Sequence, residues 1–283
     1  MFLDQADKQK LQSILSEAKR RYSPASLERL EEAFAIAVGS KQSVGTEDPG
    51  QAGISFFFPG LSAKPWHDKE NFPMCAKLEQ SWEAIKEELK CALGNRRGFQ
   101  QFLRRGTDKQ TAPDEGVPRE WKALYLKEHT EEFTENRAMC PETVKIFADE
   151  PRLENYAFFS ALDPGGFIAP HHATYNWVFN IHLGLVVPDT RPDICGLRVK
   201  DQIRGWEEGK THVFDSSFEH EAWNKTDSTR FILVITTYHP ELTDIEVSLL
   251  KRVNVDLARA VDSMHDNELR ESEKELEGEK WWT

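Results

Sequence analysis

The stretch WVFNIHLGLVV, residues 177–187, constrains the fold more than any other. Successive side chains of a strand point to opposite faces. Trp177, Phe179, Ile181 and Leu183 therefore share one face, and Val178, Asn180, His182 and Gly184 share the other. The first face is wholly apolar and needs a core. The second carries two polar groups, and a buried polar group without a partner costs about 1–3 kcal/mol. Asn180 and His182 thus face either solvent or a polar pocket.

Other short strands follow the same rhythm. ENYAFFSAL, CGLRV, GKTHVF and RFILVITTY are separated by the turn-forming segments PDTRPD, EEGK and KTDS. Strands at such spacing predict a sandwich or barrel. Helices flank them. Leu11, Ile14, Leu15 and Ala18 lie on one helical face, and a second helix starts at Ser23-Pro24 and ends near Gly39, which makes a hairpin. Residues 40–53 read as a linker, 54–66 as a strand broken by Pro59-Gly60, and 76–91 as one amphipathic helix. Residues 105–120 read as a polar loop, Trp121–Leu126 as a strand and 141–149 as a short helix. The chain returns to helix after His239-Pro240. The expected organisation is a helical hairpin over 1–45, a β domain over 54–245, and a helix with an acidic tail over 246–283.

A net charge of −12 over 283 residues argues against a nucleic-acid partner, since phosphate binding needs a basic surface. No polybasic run or long apolar segment points to a membrane. Cys75, Cys91, Cys140 and Cys195 are scattered and the N-terminus has no apolar leader, so a reduced, cytoplasmic protein is expected. The helical ends offer either a homodimer interface or packing against the barrel.

Chemistry gathers late in the chain. His171, His172 and His182 precede FDSSFEHEAW, which carries His220, and Arg230 opens the last strand with the parity of Ile232, Val234 and Thr236. An arginine on an apolar strand face needs an anion, and its planar fork suits a carboxylate. Histidine, distant histidine, arginine is the order expected of a non-haem iron oxygenase barrel, where imidazoles hold Fe(II) and leave sites open. Nine histidines allow many pairings, so spacing alone leaves structural roles open.

The segments FPGLSAKPW, PGGFIAPHH, IHLGLVVP, WEEGKTHVFDSSFEHEAW and RFILVITTYHPELT, in that order, resemble the aspartyl/asparaginyl β-hydroxylase family over roughly residues 54–245. The resemblance implies a mainly β fold with flanking helices around a double-stranded β-helix (cupin-like jelly-roll) core. It implies an oxygenase using Fe(II), 2-oxoglutarate and O2. By the matching motifs, His171 and His220 correspond to the iron ligands. His182 corresponds to the contact for the 2-oxoglutarate C1 carboxylate, Arg230 to the partner of its C5 carboxylate, and Ser160 to that arginine's hydroxyl helper. Ala173 stands where most 2-oxoglutarate oxygenases carry a ligating carboxylate. That agrees with a two-histidine site completed by water and leaves halogenation open.

Two departures bear on substrate. Asn180 replaces an arginine usual in the family, and the cysteine pair of the peptide-modifying members is reduced here to Cys140. Both favour a small molecule or amino-acid-derived substrate over a peptide. Trp66, Trp121, Trp177, His172 and Asn180 are candidates for the substrate cleft, and Asp215, Glu219 and Glu221 for orienting the imidazoles. The alternatives are a peptide aspartyl/asparaginyl β-hydroxylase, a barrel that binds a metabolite without catalysis, and a cupin-type isomerase or dioxygenase that works without 2-oxoglutarate.

Overall fold

A computed structural model describes residues 5–42, 48–51, 54, 56–94, 100–101, 121–129 and 132–253. Helices α1 (Gln5–Lys19) and α2 (Pro24–Ala37) come first, then a 3-10 turn at Pro49–Gln51. Next are β1 (Trp66–His67), α3 (Pro73–Gln80), α4 (Trp82–Gly94), β2 (Gln100–Gln101), β3 (Trp121–Glu128), α5 (Thr134–Met139) and α6 (Pro141–Phe147). The barrel strands are β4 (Leu153–Leu162), β5 (Gly166–His171), β6 (Val178–Val186), β7 (Cys195–Val199), β8 (Gln202–Gly205), β9 (Thr211–Asp215), β10 (His220–Asn224) and β11 (Arg230–Tyr238). A helix over 244–253 follows.

Strands β4 to β11 divide between two antiparallel sheets, β9-β6-β11-β4 and β5-β10-β7-β8. β1 extends the first sheet at one edge, β3 and β2 at the other. This is the double-stranded β-helix with flanking helices that the family resemblance implies, and it falls within the sandwich or barrel that the strand rhythm predicts.

The alternation in β6 decides which side faces what. Phe179, Ile181 and Leu183 pack outward with Phe159, Leu233 and Ile235 under α3, α4 and α6. The opposite faces enclose an interior built from Phe158, Leu162, Ile168, Trp206, Phe214, Phe218, Ile232 and Val234. A third cluster packs α1, α2 and the 244–253 helix against Phe56, Trp177 and Tyr238. Burying each such leucine or phenylalanine contributes about 1.5–3 kcal/mol.

The expected helix over 76–91 is two helices, broken at Ser81, whose N–H bonds the carbonyls of Lys77 and Leu78. Among the described residues of 54–66 the extended structure shrinks to a bridge between Phe56 and Tyr175, and the sheet is joined at Trp66. The loop expected at 105–120 and the acidic tail lie outside the described residues. All four cysteines are free thiols, with only Cys91 exposed. Among the described residues no helix is long and apolar enough to cross a membrane.

Candidate active site

β5 and β10 are neighbours, and their ladder sets His220 opposite His171. The register is not uniform. Asn224, Trp223 and Ala222 oppose Gly166, Phe167 and Ile168, after which β5 carries one extra residue before His171. Pro170 lies in that bulge, and proline has no N–H to give a ladder. The bulge changes which residues point inward. Ile168 faces the interior, so strict alternation would turn His171 away from it. The extra residue reverses that, and the His171 and His220 rings lie 4.1 Å apart between centroids.

Backbone carbonyls fix both rings. His171 Nδ1 lies 2.7 Å from Ala169 O, and His220 Nδ1 lies 2.9 Å from Phe218 O. A carbonyl only accepts, so each Nδ1 carries the proton and each Nε2 carries the lone pair that a metal ion takes. Among the described residues no group of three or more His, Cys, Asp or Glu converges as a metal cluster.

The other end of the interior is arranged differently. Arg230 is 1% exposed, and its Nε and Nη2 have no hydrogen-bond partner. Its guanidinium stacks 4.6 Å over the Trp206 ring, which satisfies the π-face but none of the N–H groups. Burial lowers its pKa to about 10. His182, on the inner face of β6, lies beside Trp206 and Phe214, and its Nδ1 is also buried without a partner. Burial, then the charges of Arg230, His212 and His220, push the His182 pKa well below the usual value. The ring is therefore neutral.

Ser160 stands on the inner face of β4, paired with Ile232 two pairs along from Arg230–Leu162. Its Oγ accepts a 2.8 Å bond from Trp121 Nε1. That bond fixes the oxygen and leaves its hydroxyl proton to donate toward an anion. Trp121, expected at the substrate cleft, is thus at the arginine end, opposite Leu162. Trp66 lines the interior with Phe214, with the Arg204 guanidinium 4.4 Å over its ring. Trp177 is not in the cleft. It shares the outward parity of Phe179 and packs against Phe56, Phe58 and Tyr175. His172 Nδ1 bonds Ala173 O at 3.0 Å. Asn180 lies on the inner face, paired with Phe214 and Thr236, and Phe214 touches the His220 ring at 5.2 Å.

The carboxylates expected to orient the imidazoles bond elsewhere. Glu219 and Glu221 both take Arg198, at 2.9 and 2.6 Å. Asp215 accepts from Ser217 and Gln51. Backbone carbonyls orient the histidines instead, and side-chain identity carries no sign of them.

Sequence reasoning also missed Glu154. It is buried on the inner face of β4, accepts 2.9 Å from Thr236 Oγ1, and desolvation raises its pKa to about 7. Through Thr236 it joins Asn180, so a polar row runs from beside His220 across the larger sheet. The signal was present, since Glu154 has the parity of Phe158 and Ser160.

The profile of the family described as aspartyl/asparaginyl beta-hydroxylase matches residues 79–240. The ornithine lipid ester-linked acyl 2-hydroxylase of Rhizobium tropici is 34% identical over 66% of this chain and 65% of its own length. The aspartyl/asparaginyl beta-hydroxylase of Homo sapiens is 28% identical over 65% of this chain and 24% of its own. The human aspartate beta-hydroxylase domain-containing protein 2 is 26% identical over 84% of this chain and 63% of its own. The chain thus spans less than two thirds of each of these relatives.

Proposed function

The chain belongs to the aspartyl/asparaginyl β-hydroxylase family, and we propose that it is an Fe(II)- and 2-oxoglutarate-dependent oxygenase acting on a small molecule or amino-acid-derived intermediate. The observation that carries this reading is Arg230. A fully buried guanidinium with two unpartnered nitrogens calls for an anion, because a buried unpaired charge is costly. Arg230 would hold a carboxylate of a 2-oxo diacid, with the Ser160 hydroxyl as a further donor from the same inner face. His182 stands between Arg230 and His220 to meet the other end.

The donor set fits the metal. His171 and His220 present their Nε2 lone pairs with both rings already oriented. A site of two imidazoles leaves further positions for the co-substrate and O2. Bound there, Fe(II) with 2-oxoglutarate and O2 supplies the oxidation of an unactivated C–H bond. The protein's part is to fix the co-substrate at both carboxylates, hold His182 neutral, and wall the reacting centre from water with Trp206, Phe214 and Phe218.

For the substrate, two observations favour a small molecule. Asn180 leaves the inner face beside His220 without the family's usual arginine, and none of the four cysteines is paired. The R. tropici relative is named for action on a lipid acyl group and the human one for aspartyl/asparaginyl residues, so both substrate classes belong in the test. The first experiment is anaerobic titration with Fe(II) and 2-oxoglutarate, followed by succinate release on admitting air. A visible charge-transfer band absent from His220→Ala supports the reading. Clean folding with no binding of either component overturns it. Hydroxylated Asp or Asn in an EGF-like peptide after incubation would sink the small-molecule half alone.

A further inference from the structure

We infer that Gln51, which lies before residue 79 where the family match begins, is a positioning residue for the histidine pair. The inference rests on the proposed metal-binding role of His171 and His220. The turn between β9 and β10 serves both histidines. Phe218 O accepts from His220 Nδ1 at 2.9 Å. Two residues earlier, Ser216 O accepts the Ala173 N–H at 2.7 Å, which pins the chain just past His171-His172. Displacing this turn displaces one histidine's acceptor and the other's anchor together.

A buried side-chain network holds the turn. Asp215 Oδ1 accepts the Ser217 N–H at 2.9 Å and the Ser217 hydroxyl at 2.5 Å. Asp215 and Ser217 are both fully buried, so Asp215 Oδ2 needs a donor. Gln51 provides it. Its Nε2 donates to Asp215 Oδ2 at 3.0 Å and to Ser217 Oγ at 2.7 Å, and the residue is 3% exposed. An amide has two N–H donors, and both are used.

The same short segment grips the neighbouring turn. Lys200, in the left-handed region at φ 56°, bonds Asp48 at 2.6 and 2.9 Å, and its own N–H bonds Glu219 O at 2.8 Å. Gly50 fits against Lys200 because an added Cβ would meet the lysine side chain at 3.1 Å. Residues 48–51 thus clasp the β9–β10 turn through Gln51 and the β7–β8 turn through Asp48, in a stretch whose composition reads as a linker.

The test compares Gln51→Ala, Ser217→Ala and the double variant with the full-length wild type, by amide hydrogen exchange and by anaerobic Co(II) titration with 2-oxoglutarate. Loss of a group that orients a metal ligand weakens metal binding by about 10–100-fold. Gln51→Ala should raise the Co(II) dissociation constant about tenfold and speed exchange at the Ala173 and Ser217 amides, leaving the centre of β11 unchanged. The double variant should lose little more than Gln51→Ala alone, as expected for groups in one network. Unchanged exchange at those amides, unchanged Co(II) affinity, or loss spread evenly over the barrel would overturn the inference. A wild type that binds no Co(II) would overturn the metal reading itself, and the exchange data would then decide the clasp separately.

Discussion

The two ends of the barrel interior are finished to different degrees. At the histidine end each Nδ1 already has a carbonyl acceptor. At the arginine end Arg230 Nε and Nη2 and His182 Nδ1 are buried with none. The first arrangement is pre-organised, with ring orientation and tautomer set before any ligand arrives. The second leaves buried donors unpaired, which the anion proposed for Arg230 would satisfy. The difference separates what the fold builds from what the ligand must supply.

The largest expected effect sharpens the finished end. His220→Ala should abolish the Fe(II)–2-oxoglutarate charge-transfer band and succinate release, while the protein keeps its thermal transition. A surviving band would mean the pair is not the metal site. Next comes the unfinished end. Arg230→Met should raise the KM for 2-oxoglutarate by about two to three orders of magnitude, as truncating one partner of a buried charged pair does. The same change removes an unpaired buried charge, so the Tm without ligand should rise by about 2–4 °C. A fall in that Tm would show that the guanidinium already has its partner and would erase the contrast.

A smaller effect tests the link between Trp121 and Ser160. Trp121→Phe deletes the 2.8 Å bond to Ser160 Oγ. At about 1 kcal/mol for such a bond, KM for 2-oxoglutarate should rise about fivefold with kcat little changed. The smallest concerns Glu154, whose folded pKa is raised from 4.5 to about 7 by burial. A raised carboxyl pKa means the native state holds a proton that the unfolded chain has lost, so this contribution to stability falls as pH rises from 4.5 through 7. Glu154→Gln does not titrate. The difference in Tm, variant minus wild type, should therefore climb between pH 4.5 and 7 and level off above. A flat difference across that range would show that Glu154 titrates as it does in water.

Much of this was legible in the residues. The β6 alternation put Asn180 and His182 on one face, left between solvent and a polar pocket, and the structure turns that face inward; the parity of Arg230 with Ile232 and Val234 put it on an apolar face that is interior. The same rule, applied strictly, removes Trp177 from the cleft, since it shares the parity of Phe179. Other features were hidden for physical reasons. The bulge at Pro170 breaks the period of two, so His171 and Ile168 face inward although alternation separates them. α5 is six residues long, too short for a helical period to show. β8, QIRG, has a largely exposed pattern with no apolar face. Gln51 sits in a polar, glycine-bearing run, where only the buried Asp215 and Ser217 it reaches reveal its purpose.

The bulge in β5 also bears on how the protein behaves at high concentration. β5 is the terminal strand of its sheet, and a terminal strand is an open template for another chain to extend. Pro170 is exposed on that strand and offers no N–H, and the extra residue bends the ladder beside it. A second chain meets an interrupted edge. The kink that aims a histidine inward is thus also a stop against sheet growth, and straightening it would cost the protein solubility as well as chemistry.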